Sequence, residues 1–153
     1  MRYYYDYRFP IGKLTIAQDS HGICGIYYHP HDPIDGKKKE THLIQQAAYQ
    51  LTEYFCGDRK EFDLPLSFHG TEFQQKVWRE LCKIPYGSTC TYKEIAERIG
   101  IPKGCRAVGM ANNQNPIVIV VPCHRVIGAN GSLTGYAGGM ELKEYLLQLE
   151  HAI

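Results

Sequence analysis

A cysteine, a histidine and an arginine stand side by side at Cys123, His124 and Arg125, directly after the aliphatic run Ile117 to Val121 and Pro122. A free thiol titrates near about pH 8.5; apolar burial raises that value and leaves the sulfur inert, whereas a neighbouring imidazole, guanidinium or helix N-terminus lowers it and makes a nucleophile. The residue types fit either a core thiol or an attacking sulfur, and a buried strand ending at Cys123 would present that sulfur to a cleft. The remaining cysteines, at 24, 56, 82, 90 and 105, form no CxxC and no repeated spacing, so neither a disulfide framework nor a four-ligand zinc site is indicated. Cys24 and His29 have a spacing that could join a metal site, but no second pair accompanies them.

Elements that would position this chemistry are visible on both sides of residue 70. Tyr3 to Phe9, Lys13 to Ala17 and Ile23 to Tyr28 read as strands separated by turn residues, which predicts a small antiparallel sheet. Leu43, Ala47, Ala48, Leu51, Tyr54 and Phe55 recur at helical spacing within Thr41 to Phe55, and a helix there would pack on the sheet. Residues 58 to 70 have no helical period and read as a linker, so the expected division is residues 1–69 and 70–153.

Beyond the linker, Thr71 with Gln74 and Thr91 with Glu94 are capping boxes, each starting a helix. The first helix would bury Phe73, Val77, Trp78 and Leu81; the second would turn Ile95, Ala96 and Ile99 inward and stop at Gly100. Pro102 would sit in the first turn of a third helix, Lys103 to Asn113, whose Gly104, Ala107, Gly109 and Ala111 suit close packing or close approach to a DNA groove. Helix, tight turn and helix make a helix-turn-helix. A last helix from Met140 to Glu150 would bury Leu142, Tyr145, Leu146 and Leu149. The fold class expected is α+β: a small N-terminal antiparallel sheet with a helix, then a winged-helix-like C-terminal subdomain.

Bulk properties agree with a folded protein. The chain has 153 residues, 44% hydrophobic and 22% charged, with a net charge of +1. That length can bury a core unaided, and no apolar run approaches the ~20 residues of a membrane-spanning helix. The N-terminal MRYYYDYRFP lacks the apolar stretch of a signal peptide, so a cytoplasmic location is expected. Arg98 to Met140 contains no acidic residue but includes Arg98, Lys103, Arg106 and Arg125, which predicts one electropositive face suited to phosphate.

Asn115-Pro116, the aliphatic run and Pro122-Cys-His-Arg-Val126, followed by Gly135-Tyr-Ala-Gly-Gly139 and Lys143-Glu-Tyr-Leu-Leu147, resemble the active-site region of the O6-alkylguanine-DNA alkyltransferases. The similarity extends upstream through Phe73-Gln74, Val77-Trp78, Ile84-Pro-Tyr-Gly87, Tyr92 and Arg106-Ala-Val-Gly109; it covers residues 70 to 150 and is loose in the N-terminal half, around Pro10-Ile-Gly12. The resemblance implies single-turnover transfer of an alkyl group from O6-alkylguanine in DNA, and from O4-alkylthymine in some members, to Cys123. His124, through a water, and Glu150 would take the thiol proton. Tyr92 would donate a hydrogen bond to the departing guanine, and Asn115 would brace the turn. Arg106 would fill the place of the extruded nucleotide, with Thr91, Lys103, Ala107 and Gly109 at the DNA. Tyr136, Val126, Ala137 and Gly138 would line the substrate pocket. No cofactor or metal is implied; the partner is duplex DNA carrying alkylated guanine, bound by a monomer through the minor groove, with no role for a membrane.

These roles are physically coherent. A base inside a duplex must be everted before its alkyl carbon can be attacked, at a cost of a few kcal/mol. Adjacent residues seldom face each other, so a water is the natural link from Cys123 to His124, and a carboxylate would hold the imidazole's tautomer. A thioether is a poor leaving group, so the protein acts once. Two rival readings keep parts of the pattern: a DNA-binding module that flags lesions or regulates and needs no thiol, and a thiol hydrolase built on Cys123, His124 and Glu150. Met110, Asn112 and Asn113 depart from the family's usual residues on the recognition helix, and Ala137 lacks a hydroxyl that some members carry beside the alkyl pocket.

Overall fold

The computed structural model describes residues 1–153 except Thr134 and Ala137, so Ala137, expected at the alkyl pocket, lies outside the described residues. The chain divides into two compact units, residues 1–69 with 116–118, and residues 70–115 with 119–153.

In the first unit, β1 (Tyr3–Phe9), β2 (Gly12–Gln18) and β3 (Ile23–Tyr28) form an antiparallel meander, with Phe9 opposite Gly12 at the first hairpin. A short β4 (Lys37–Lys38) pairs parallel with β1, giving the order β3-β2-β1-β4. The sheet is therefore not purely antiparallel as expected; two lysines carry no apolar alternation that would have revealed the added strand. Helix α1 (His42–Phe55) is capped by Thr41, whose hydroxyl accepts from Ile44 N at 3.2 Å. Its Ile44, Ala47, Leu51 and Tyr54 are buried and the helix packs on β1 and β2, covering Leu14 and Ile16. Each of the Leu and Ile side chains contributes about 1.5–3 kcal/mol by leaving water. His29 Nε2 lies 2.7 Å from Thr15 Oγ1, and no cluster of three metal-ligating residues occurs among the described residues.

Ile26 of β3 forms a parallel bridge with Ile117, through Ile26 N to Pro116 O at 2.9 Å and Val118 N to Ile26 O at 3.3 Å. The expected strand Ile117 to Val121 goes no further. Ile119 has φ 72°, a left-handed conformation that a β-branched residue enters only under strain, and the chain turns there. An aliphatic run identifies a buried segment, but cannot tell a strand from a buried turn.

In the second unit, α2 (Glu72–Leu81) starts with both halves of its capping box formed between Thr71 and Gln74. Val77, Trp78 and Leu81 are buried, while Phe73 is half-buried and less enclosed than its spacing predicted. Gly70 is required by Trp78: a Cβ there would meet the indole at 2.6 Å. The indole N–H donates to Ala111 O at 2.9 Å, joining α2 to the recognition helix. A two-residue β5 (Cys90–Thr91) leads into α3 (Tyr92–Arg98), which has the second capping box, Thr91 with Glu94. Helix α3 stops at Gly100, φ 84°, and packs on α4 (Cys105–Asn113) to complete the helix-turn-helix.

Helix α4 begins two residues later than expected. Gly104 is its N-cap, where a Cβ would meet Ile101 Cδ1 at 2.5 Å, and Pro102 and Lys103 lie in the preceding turn. Only Gly109, of the two glycines expected inside the helix, is interior. A single 3-10 turn, Cys123–Arg125, is followed by β6 (Val126–Ile127), which pairs parallel with β5 through Cys90 with Val126 and Thr91 with Ile127. Helix α5 (Met140–Leu149) ends the unit. It buries Lys143, Leu146 and Leu147, with Glu150 as C-cap, rather than the expected stripe: Tyr145 is 40% exposed, and Leu142 and Leu149 are half-buried.

Candidate active site

The Cys123–Arg125 turn is fixed from three sides by side chains of the second unit. Asn115 Nδ2 donates to Val121 O at 2.8 Å, Asn112 Nδ2 donates to Cys123 O at 3.3 Å, and Lys143 Nζ donates to Val126 O. Cys123 is 4% exposed, more enclosed than a residue at the lip of an open cleft. Its surroundings are nonetheless polar. Burial pushes the thiol pKa up, while hydrogen bonds from the Asn115 and Tyr136 side chains and the charge of Lys143 pull it back.

His124 and Glu150 are fully enclosed, and His124 Nε2 lies 2.7 Å from Glu150 Oε2. Burial would raise the carboxyl pKa, but hydrogen bonds from His124 and Arg125 outweigh it and bring it to about 2. Glu150 is thus an ionised, acceptor-only group, so His124 carries its proton on Nε2 and leaves Nδ1 as the basic atom. Burial lowers the imidazole pKa, with Glu150 opposing, which keeps it neutral. That Nδ1 has no hydrogen-bond partner among the described residues.

Arg125 differs from expectation. Instead of adding to a phosphate-binding face, it is 6% exposed and forks onto Glu150 through Nε at 2.7 Å and Nη2 at 3.0 Å, with Nη1 on Ile84 O at 2.7 Å. The guanidinium belongs to the site's internal charge balance. The remaining cations of that acid-free stretch, Arg98, Lys103 and Arg106, are exposed, Arg98 lying 3.8 Å from Glu94.

Tyr92, at the start of α3, stands close to both α4 and the loop before α5: a Cβ on Gly109 would lie 3.7 Å from its ring, and one on Gly135 would lie 3.7 Å from its hydroxyl. Arg106 and Ala107 are exposed on α4, Gly109 is half-buried, and Thr91 serves as the α3 cap. Tyr136 and Val126 are buried and Gly138 is half-buried. The structure thus gathers Cys123, His124, Glu150, Asn115, Tyr136 and Val126, and sets Arg106 and Lys103 apart on the surface.

Lys143 has no side-chain role in the sequence reading, yet it is fully buried and burial lowers its pKa to about 8. The signal was present: Lys143, Leu146, Leu147 and Glu150 lie at i, i+3, i+4 and i+7, so two ionisable residues occupy one otherwise apolar helical stripe.

The chain is similar to known proteins. Residues 72–152 match the family described as 6-O-methylguanine DNA methyltransferase, DNA binding domain, and residues 2–68 match its ribonuclease-like domain. The methylated-DNA–protein-cysteine methyltransferase of Methanosarcina acetivorans is 50% identical, covering 97% of this chain and 97% of its own. The constitutive methylated-DNA–protein-cysteine methyltransferase of Bacillus subtilis is 48% identical, over 98% and 96%. Among solved structures, Mycobacterium tuberculosis OGT in complex with DNA superposes with a TM-score of 0.92 at 45% identity, covering 98% of this chain and 93% of that one.

Proposed function

The chain belongs to the 6-O-methylguanine DNA methyltransferase family, and from that premise we propose that Cys123 accepts the alkyl group of O6-alkylguanine in DNA, with His124 as base. The observation that carries this assignment is the enclosed His124–Glu150 pair beside the cysteine turn, whose only open hydrogen-bonding atom among the described residues is the basic Nδ1. The sulfur proton passes through a bridging water to that nitrogen, and Glu150 stabilises the imidazolium that results. The thiolate attacks the alkyl carbon, so the S–C bond forms as the O6–C bond breaks and the electron pair leaves on the guanine. Tyr92 donates a hydrogen bond to the departing ring, which takes up one proton as guanine. The thioether does not leave, and each protein molecule reacts once.

Asn115 and Tyr136 act on the sulfur itself, to which their side chains hydrogen bond. Tyr136, Val126 and Gly138 line the alkyl and base pocket. Arg106, exposed on α4, takes the everted nucleotide's place in the stack, and Thr91, Lys103, Ala107 and Gly109 approach the DNA from the helix-turn-helix, entering by the minor groove. Every chemical role falls in the second unit, residues 70–115 with 119–153. A single copy holds all these groups, so the protein works as a monomer. All six cysteines are free thiols, which suits the reducing cytoplasm.

The test is intact-mass measurement after incubation with duplex DNA bearing O6-methylguanine. The expected result is a gain of one methyl group per molecule, mapped to the Cys123 peptide and lost in Cys123→Ala. More than one turnover per molecule, or methylation at another residue, refutes the assignment.

A further inference from the structure

Helix α4 turns one continuous stripe outward. Lys103, just before the helix, and then Arg106, Ala107, Met110 and Asn113 are exposed at intervals of three and four residues, while Val108, Ala111 and Asn112 are buried. The stripe carries the cations Lys103 and Arg106 and no acidic residue. Met110 is its odd member: at 65% exposure it is the most exposed large apolar side chain of the second unit among the described residues. A single solvated methionine is ordinary on a protein surface, but this one stands one turn beyond Arg106 on the same helical face, about 6 Å along the axis. Ala107 between them is short, so a partner lying along the stripe meets the guanidinium and the thioether together.

We propose that Met110 is a specificity-determining residue that lies over the floor of the minor groove beside the lesion and disfavours a G·C pair there. The inference rests on the alkyl-transfer reading, in which α4 enters the minor groove and Arg106 takes the everted nucleotide's place. Base pairs rise about 3.4 Å per step, so a side chain about 6 Å from Arg106 reaches pairs within about two steps of the lesion. On the minor-groove floor an A·T pair shows acceptors alone, and a G·C pair adds the guanine 2-amino donor. A thioether is a weak acceptor, so covering that donor strips its water without replacing the hydrogen bond. The amino group also stands up from the floor and holds the side chain off it. Lys103 and Arg106 attract the backbone whatever the sequence, and Met110 supplies the discrimination.

The experiment uses duplexes bearing O6-methylguanine in which the ordinary guanines within about two pairs of the lesion are either kept or replaced by hypoxanthine, which removes the 2-amino group and leaves the major groove unchanged. Single-turnover transfer to Cys123 is timed on both for wild type, Met110→Ala and Met110→Gln. Wild type should favour the hypoxanthine duplex by a ratio about tenfold larger than Met110→Ala does, the value of one unmet neutral donor. The weaker pairing of hypoxanthine with cytosine eases eversion for every protein alike and cancels from that comparison. Met110→Gln keeps the length of the side chain and offers an amide oxygen to the amino group, so it too should lose the bias. A merely structural effect slows both duplexes together and leaves the ratio at its wild-type value. An unchanged ratio in Met110→Ala, with transfer intact, overturns the assignment of Met110 alone. Failure of wild type to transfer to Cys123 from either duplex sinks the alkyl-transfer reading, and this inference with it.

Discussion

His124 Nε2 lies 2.7 Å from Glu150 Oε2, and neither side chain is exposed to solvent. The contact joins a residue of the cysteine turn to the C-cap of α5, so that carboxylate sets the tautomer of His124. Replacing Glu150 by Gln keeps an oxygen there but removes the charge that stabilises the imidazolium. Single-turnover transfer from O6-methylguanine DNA should slow by about 100-fold in Glu150→Gln. A rate within a factor of about three of wild type would remove Glu150 from the relay.

Acid should release the same carboxylate. Its folded pKa, about 2, lies below the unfolded value near 4.5, so its stabilisation is present above pH 4.5 and disappears as pH falls through 2. About 3 kcal/mol should be lost between roughly pH 5.5 and 2, and the stability gap between wild type and Glu150→Gln should narrow over that window. Chemical denaturation of the two proteins at several pH values measures it.

Lys143 predicts the opposite slope in alkali. Burial lowers its folded pKa to about 8 from an ordinary 10.5, so between those values the unfolded chain binds more protons and stability rises with pH. Relative to Lys143→Met, wild type should gain about 2 kcal/mol between pH 8 and 10. Denaturant midpoints at both pH values decide the matter; a constant difference would show that the ammonium is not penalised.

Arg106 is exposed on α4, so its removal should separate DNA handling from chemistry. Arg106→Ala should slow transfer from duplex DNA by at least about tenfold, since eversion costs a few kcal/mol, and leave reaction with the free methylated base unchanged. Equal slowing of both would place the arginine in the chemistry.

Closer to the core, Trp78→Phe removes the indole N–H from Ala111 O and leaves that carbonyl with Gln114 N alone. The expected loss is about 0.5–1.5 kcal/mol, read as a lower thermal midpoint. Because the bond joins α2 to the recognition helix, duplex binding should weaken alongside it.

Local signals in the chain survived folding well where the physics is local. Both capping boxes formed, because Thr71 with Gln74 and Thr91 with Glu94 need only one turn of helix to satisfy each other. The three long strands and the helix-turn-helix followed from periodicity and from Gly100 as a stop. The departures came where one pattern admits two structures. Ile117 to Val121 was buried as expected but turned at Ile119, and α5 presented Lys143 to the interior where apolar counting favoured Tyr145.

The sequence by itself determined the α+β class, the helix-turn-helix and the family, since these depend on short-range periodicity, capping and the motif around Cys123. Only the tertiary structure decided which polar groups are used inside: Arg125 on Glu150 instead of on phosphate, Lys143 on the Val126 carbonyl, Asn112 on the Cys123 carbonyl. Those choices depend on which groups lose water together, and burial is a property of the assembled helices and turns that no window of residues contains.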